Sequence, residues 1–302
     1  MSRHQFKISR KFMTSAALAP ILVATLAFVS IQPVHAAPDS RSAISLRAKY
    51  AALTDTLKNN QFNRPIAVES NEMPNRLQGE VYALVDHPIA DVNAALSKPA
   101  SWCDVLILHL NTKQCRVTQN KDVPMLAVSI GKKHDQPLEQ AYRVDFIFNA
   151  AQSTPEYLDV KLNADNGPLG TSDYRIVLEA TSVAEGKTFL HLTYSYGYSF
   201  ASKVAMQGYL ATIGSNKVGF TKGQGDYIGG IRGLVERNTM RYYLAIDSYL
   251  DAREAAPAQR FEKAIESWFA ATERYPRQLH ELDRNSYLTM KREEYRRQQS
   301  GQ

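Results

Sequence analysis

The chain has 302 residues, 36 Lys plus Arg against 30 Asp plus Glu, 44% hydrophobic side chains and two cysteines. That composition excludes a disordered tail protein, a collagen-like fibre and a disulfide-dense mini-domain. The formal charge of +6 invites an anionic partner, but much of the excess sits in Arg3, Lys7, Arg10 and Lys11.

Those four residues open a segment with the three parts of a secretory signal. They occur without an acid, an apolar run follows from about Ala16 to Ile31, and Val34-His35-Ala36 precedes Ala37. Removing them from 36 leaves 32 basic residues against 30 acidic, so a nucleic-acid role driven by bulk charge has little support. The expectation is a signal peptide over residues 1–36, cleaved to give a periplasmic or secreted protein. Retention of residues 12–31 as an anchor is the alternative. Export would favour a disulfide between Cys103 and Cys115, 12 positions apart, worth about 3 kcal/mol in the chain-entropy model. Two buried thiols are the other reading. No histidine pair has metal-ligand spacing, so no metal is expected.

Ser40 to Lys58 has apolar residues at Ile44, Ala48, Ala51 and Leu57, no Pro or Gly, and Ser40 as a cap, which predicts an amphipathic helix. Residues 65–72 and 77–85 flank Met73-Pro74-Asn75 and predict a hairpin. Ile89, Val92, Ala95 and Leu96 then fit a short helix, interrupted at Pro99 and followed by a second helical piece with Trp102, Val105 and Leu106. These lead into the proposed disulfide loop. Strand-like segments follow near 123–132, 139–150, 156–163, 172–181 and 187–198. In the second, Tyr142, Val144, Phe146 and Phe148 share one face, while Arg143, Asp145 and Asn149 share the other. Five such segments predict an antiparallel meander with one buried face. Residues 199–213 suit a short helix that helps cover it. Residues 226–252 suit a long helix with an apolar stripe through Ile228, Ile231, Val235, Tyr242, Ile246 and Tyr249. Gly229, Gly230 and Gly233 near its start point to a bend or a close approach. Residues 251–302 hold 10 basic and 9 acidic residues and read as two charged helices broken at Tyr275-Pro276, with Arg296 to Gln302 low in structure.

The order of hairpin, two short helices, antiparallel meander and long C-terminal helix resembles the START-like helix-grip superfamily, which includes polyketide cyclases and plant allergen-type ligand carriers. The resemblance covers about Arg64 to Leu250 and rests on element order; its closest local features are the helical piece with Trp102 and the helix from Tyr227 to Leu250. It implies an α+β fold in which a curved antiparallel β-sheet wraps around the long helix, with an N-terminal helix and a helical C-terminal extension outside the pattern. The division expected is 37–63, 64–252 and 253–302. It also implies a cavity for a lipid, sterol or other apolar molecule.

Trp102, Tyr142, Phe146, Tyr174 and Ile176 are candidate ligand-binding residues, as are Leu192, Tyr194 and Tyr196 on the last strand. Met206, Tyr209, Ile231 and Val235 would line the cavity from the helical side. Inward tyrosine hydroxyls need partners from a ligand, water or protein. The alternative is an ordinary packed core with hydroxyls at its rim.

No GxSxG elbow is present, and Gly223 to Gly229 has Ile228 where a dinucleotide loop needs glycine. No catalytic residue and no cofactor are therefore assigned. The loop from Gly214 to Gly225 is a candidate gate. Arg232 and Glu236 could form a surface ion pair, and Arg237 and Arg241 read as a solvated face unless Asp145, Glu179 or a lipid headgroup lies between them. His191 alternates with Leu190 and Leu192 and falls opposite the cavity.

The leading expectation is an exported protein that binds or transports a hydrophobic ligand, a lipid first. The alternatives are a cyclase- or hydrolase-type enzyme in the same pocket and a non-binding envelope interaction scaffold. The partners implied are a hydrophobic small molecule or lipid, with envelope-protein or membrane-surface contact through residues 256–302. No nucleic acid is implied.

Overall fold

In a computed structural model, residues 42–212 and 214–300 are described, apart from the side chain of Tyr209. The signal-peptide reading and the cap at Ser40 fall outside them. Helix α1 (Ala43–Lys58) is capped by Ser42, whose hydroxyl accepts from the Ser45 N–H while Ser45 Oγ accepts from the Ser42 N–H. The hairpin follows as β1 (Ile66–Met73) and β2 (Arg76–Val85), with Asn75 in the left-handed region at φ 59°. Pro99 starts α3 (Pro99–Leu106) just after α2 (Ile89–Leu96), at the helical position where its missing N–H costs nothing.

The segment expected as a disulfide loop contains a strand, β3 (Thr112–Asn120). Its sequence, TKQCRVTQN, lacks an apolar alternation because one edge of the sheet is formed by it and its core contact is short. Next come β4 (Val123–Ile130), β5 (Tyr142–Thr154), β6 (Tyr157–Asn166), β7 (Thr171–Ala184) and β8 (Lys187–Tyr198). All eight form one antiparallel sheet in the order β1-β2-β8-β7-β6-β5-β4-β3. The consecutive strands β4 to β8 are the expected meander. Helices α4 (Phe200–Ala211) and α5 (Gly230–Ala252) come next, then α6 (Arg260–Thr272), the single turn α7 (Pro276–Leu279) and α8 (Arg284–Ser300). The last of these continues through Arg296, where low structure was expected.

Helix α5 lies across the inner face of the sheet and can do so because Gly79 of β2 has no side chain: a Cβ there would overlap the Thr239 hydroxyl. Gly233 serves the loop before the helix in the same way, since its Cβ would meet Gly219 N at 3.0 Å. Helix α1 covers the opposite face, where Leu46 and Leu57 join Tyr82, Tyr157 and Phe189 in a smaller core. The tail does not stand apart. Trp268 of α6 is buried, donates to Arg241 O at 3.1 Å and stacks on Tyr287 of α8. The described residues form one compact unit.

Cys103 of α3 and Cys115 of β3 are disulfide-bonded. Beside them α8 is held by a buried triad: Glu294 accepts from Lys113 at 2.9 Å and Lys291 at 2.7 Å, and all three side chains are inaccessible. The ammonium groups also donate to the carbonyls of His109, Leu110, Thr112 and His134. Burial pulls Lys291 down to about 8. On the outer face His191 sits between Glu179, at 3.1 Å, and Glu80, at 3.8 Å, stacked on Tyr82. Burial opposes its charged form, but hydrogen bonds and charge from the two carboxylates outweigh that and raise its pKa.

Two predictions follow from these buried charges. Glu294→Gln leaves two ammonium groups without a counter-charge and should cost about 3 kcal/mol in urea denaturation; a loss below about 1 kcal/mol would contradict the triad's role. For His191, a raised folded pKa means that its stabilisation is fully present below about 6.5 and is lost as pH rises through the folded value. The stability difference between wild type and His191→Gln should therefore shrink with rising pH, and a flat difference would refute the assignment.

Candidate functional site

The sheet's inner face is apolar along β5 to β7, but near the end of β8 it turns aromatic. Tyr174 stacks on Tyr196 with centroids 5.3 Å apart, Phe146 meets Tyr174 edge-on, and Tyr194 lies 5.5 Å from Tyr196. From α5, Tyr242 tilts against Tyr194 at 5.1 Å, and His109 stacks on the other end of this row at 4.7 Å from Tyr242. The row runs from β5 beneath α5 to the turn after α3. Tyr242 retains accessible surface although His109 and Tyr194 beside it are buried.

The polar atoms of this row are sparsely used. Tyr174 Oη is 2.8 Å from Thr171 Oγ1, and Tyr196 Oη reaches only the sulfur of Met206, at 3.7 Å. The hydroxyls of Tyr194 and Tyr242 make no hydrogen bond among the described residues. Burial raises the pKa of Tyr194 and Tyr242, with the neighbouring phenols adding to it, so both stay neutral donors. His109 Nδ1 accepts from the Asn111 N–H, which assigns the proton to Nε2. That Nε2 is buried and has no partner among the described residues. Burial, with Arg241, Lys291, Lys133 and Lys113 around it, lowers the His109 pKa well below its ordinary value and keeps the ring neutral.

Of the sequence-chosen residues, Phe146, Tyr174, Tyr194 and Tyr196 come together in this row, with Met206 at its α4 side. Ile176, Leu192, Ile231 and Val235 are buried in the same core. Trp102 is also buried there, its Nε1 donating to Leu96 O at 2.8 Å. The side chain of Tyr209 lies outside the described residues. Tyr142 departs from expectation: it is 54% exposed, because it is the first residue of β5 and pairs with Ile130 at the sheet's end, past the covering helices. His109 and Tyr242 were absent from the sequence-chosen set. The period of α5 placed Tyr242 on the helix stripe, but no local pattern marks His109, which is brought in by the turn after α3.

The charged residues of α5 also depart from expectation. Glu236 is buried, not on a surface pair: it accepts from Phe220 N, Thr221 N, Thr221 Oγ1 and Ser70 Oγ, and Arg232 Nε donates to the same Ser70 hydroxyl. Arg237 and Arg241 are buried as well. Arg237 donates to Val218 O at 3.3 Å, and Arg241 pairs at 2.8 Å with Glu281 from the tail. Asp145 and Glu179 lie on the outer side of the sheet. The candidate gate is therefore tied down, with Phe220 packed between Phe62 and Tyr275 and Asp226 paired with Arg277 at 2.8 Å.

An open cleft of about 780 Å³ is lined by the end of α1, β1 and Phe220–Lys222. Its wall mixes the apolar Leu53, Phe62, Val68 and Phe220 with polar groups such as Asn60, Glu69 and Lys222, and it shares no residue with the tyrosine row. The site is placed at the row because His109 Nε2, a buried donor without a partner among the described residues, lies there beside an aromatic wall. Among the described residues, no group of three His, Cys, Asp or Glu side chains could hold a metal ion.

The architecture is a helix-grip fold: one antiparallel sheet curved around a long helix, as the resemblance to the START-like superfamily implied. The sequence matches no family model and no curated protein. Similar solved structures include a conserved protein of unknown function from Enterococcus faecalis, 9% identical, with 68% of this chain and 89% of that one covered and a TM-score of 0.34. Norcoclaurine synthase from Thalictrum flavum, in complex with a transition-state analogue, is 10% identical over 63% of this chain and 98% of that one, at a TM-score of 0.36. A Streptomyces aromatase/cyclase is 10% identical over 60% and 97%, at 0.38. These superpositions are loose, so the fold is read from this chain's own strand order.

The deeply buried phenols give a direct check. In an ultraviolet absorbance titration, a group of tyrosines including Tyr194, Tyr242, Tyr243 and Tyr287 should stay un-ionised past the usual phenol range near 10 until the chain unfolds. Ionisation of all tyrosines in one step near 10 in the folded protein would show that the row is open to bulk water.

Proposed function

We propose that the protein is an exported carrier of a hydrophobic ligand, with a lipid as the first candidate, held between the sheet and α5. One observation carries the reading: His109 Nε2 is buried without a partner among the described residues, beside an aromatic row whose Tyr194 and Tyr242 lie against each other. An apolar wall with a few oriented donors suits a molecule with a long apolar body and one or two acceptor oxygens. Leaving the buried His109 N–H unmatched costs free energy in the empty protein, and a ligand acceptor would recover it. Export is the reading of the first 36 residues, and the disulfide agrees with an oxidising compartment.

A neutral imidazole beside a phenol also favours a second reading, an enzyme in which His109 and Tyr242 hold or move a proton on a bound carbonyl compound. Its signature would be turnover lost in His109→Ala with ligand binding retained.

The deciding measurement is native mass spectrometry of mature protein purified without detergent, followed by organic extraction. A stoichiometric lipid should be present in wild type and reduced in Val235→Trp, which adds bulk to the interior between the sheet and α5. A chain that is ligand-free, and remains so after incubation with envelope lipids, would remove the carrier reading. Tyr194→Phe should weaken retention roughly tenfold, the loss of one hydrogen bond to a buried acceptor.

A further inference from the structure

The tail, expected to be the contact surface, packs on the domain, and where it meets the end of α5 it leaves a further cavity of about 220 Å³. The walls come from α3, α5, α6 and α8, and no residue is shared with the tyrosine row or with the cleft beside β1. Pro257 apart, every lining residue is buried or half-buried, so the cavity is recessed. One part of its wall is aromatic: Phe261 of α6 and Tyr295 of α8 stack with centroids 3.7 Å apart, and Tyr249 of α5 lies beside them. The other part carries formal charge. Asp104 is the residue of α3 that stands among Trp102, Cys103, Val105 and Leu106 without being buried with them, while Arg253 caps α5 and Arg260 begins α6.

The fold leaves these charges unmatched. Among the described residues, the carboxylate of Asp104 has no hydrogen-bond or ion-pair partner, and the guanidinium of Arg253 has none either. Arg260 commits one N–H, from Nε to Ala255 O at 3.2 Å. Burial alone raises the Asp104 pKa to about 6, with no cation offsetting it. The two arginines therefore border the same cavity as the carboxylate without neutralising it. Elsewhere the chain behaves differently: Glu236, Arg241 and the Lys113–Glu294–Lys291 triad all find partners when they are taken out of water. Opposite charges held apart across a recessed void favour a ligand that brings both counter-charges.

Each wall restricts the occupant. A lone carboxylate is matched by an ammonium group, and guanidinium N–H forks are matched by a carboxylate. Stacked rings suit a planar or branched apolar side chain. A volume of about 220 Å³ falls below the roughly 300 Å³ at which sites for drug-sized ligands begin, so all three parts must sit on one small molecule. A simple amine would meet two arginines, and a simple anion would meet Asp104. We infer that this cavity binds a free α-amino acid with an aromatic or large apolar side chain, its ammonium toward Asp104, its carboxylate toward Arg253 and Arg260, and its side chain against Phe261 and Tyr295. Such a ligand would tie α3 and α5 to α6 and α8, and it does not depend on a lipid being carried in the grip.

Isothermal titration calorimetry of the mature protein tests this with L-phenylalanine and L-leucine, set against 2-phenylethylamine, which lacks the carboxylate, and 3-phenylpropionate, which lacks the ammonium. Wild type should bind one amino acid per chain, and each truncated analogue at least roughly tenfold more weakly. Asp104→Asn should weaken L-phenylalanine by at least roughly tenfold and leave 3-phenylpropionate no weaker. Arg253→Gln should weaken L-phenylalanine and leave 2-phenylethylamine no weaker. Neither side chain has a partner to lose among the described residues, so the thermal midpoint without ligand should hold in both variants. No binding of either amino acid to wild type overturns the inference. So does equal affinity for L-phenylalanine and 3-phenylpropionate, or unchanged amino-acid binding in Asp104→Asn. Organic extraction of the same samples separates the two proposals: a protein that binds the amino acid but holds no lipid sinks the carrier alone, and one that holds lipid but binds no amino acid sinks this site alone.

Discussion

Much of this structure depends on charged side chains that α5 carries into the interior, Glu236, Arg237 and Arg241 among them. A buried charge must be matched or the fold loses several kcal/mol. Glu236 is matched by two backbone N–H groups and two hydroxyls, which brings the Gly219–Thr221 loop and β1 to the helix. Arg241 is matched by Glu281 and the Leu279 carbonyl, which brings in the tail. Arg237 reaches back to the carbonyl of Val218. Satisfying α5 therefore closes one end of the grip with a loop and one flank with α6 to α8. The charged tail becomes part of the domain.

The closure contrasts with the region beneath α4. At the Glu236 end, polar atoms are saturated and the loop is pinned by aromatic packing as well. Along the tyrosine row, His109 Nε2 is buried without a partner among the described residues, and the row's Met206 side is covered by a short helix that turns few large side chains inward. A binding site and an entrance both require such an imbalance: groups that water or a ligand can satisfy, behind an element that little holds in place. The gate suggested by the glycines lies at the firmly held end. Of those glycines, Gly219 serves close packing against Gly233 instead.

How far the sequence could be read depended on the range of the interaction concerned. Val144, Phe146 and Phe148 alternate with Arg143, Asp145 and Asn149, and their burial follows that alternation, because a strand's pleat is local geometry. The same rule put His191 on the face opposite Leu190 and Leu192. It could not find β3, whose TKQCRVTQN is polar because its neighbours are a single strand and the side chains of α8, with Gln298 accepting from the Cys115 N–H. Nor could it show that Tyr142 lies past the cover, since the position of a helix end over a strand is not written in the strand.

The sequence by itself determined the element types, the meander, the long helix and the inward set of tyrosines, because each follows from periodicity within about ten to twenty residues. Tertiary structure decided the fate of the charges and the composition of the site. Glu236 and Arg241 read as solvent-facing until partners 15 to 166 positions away are seen to reach them, and His109 joins Tyr242 only because the turn after α3 packs under α5. Helical period tells which side chains share a face, but whether that face meets water, lipid or protein depends on what the rest of the chain brings against it.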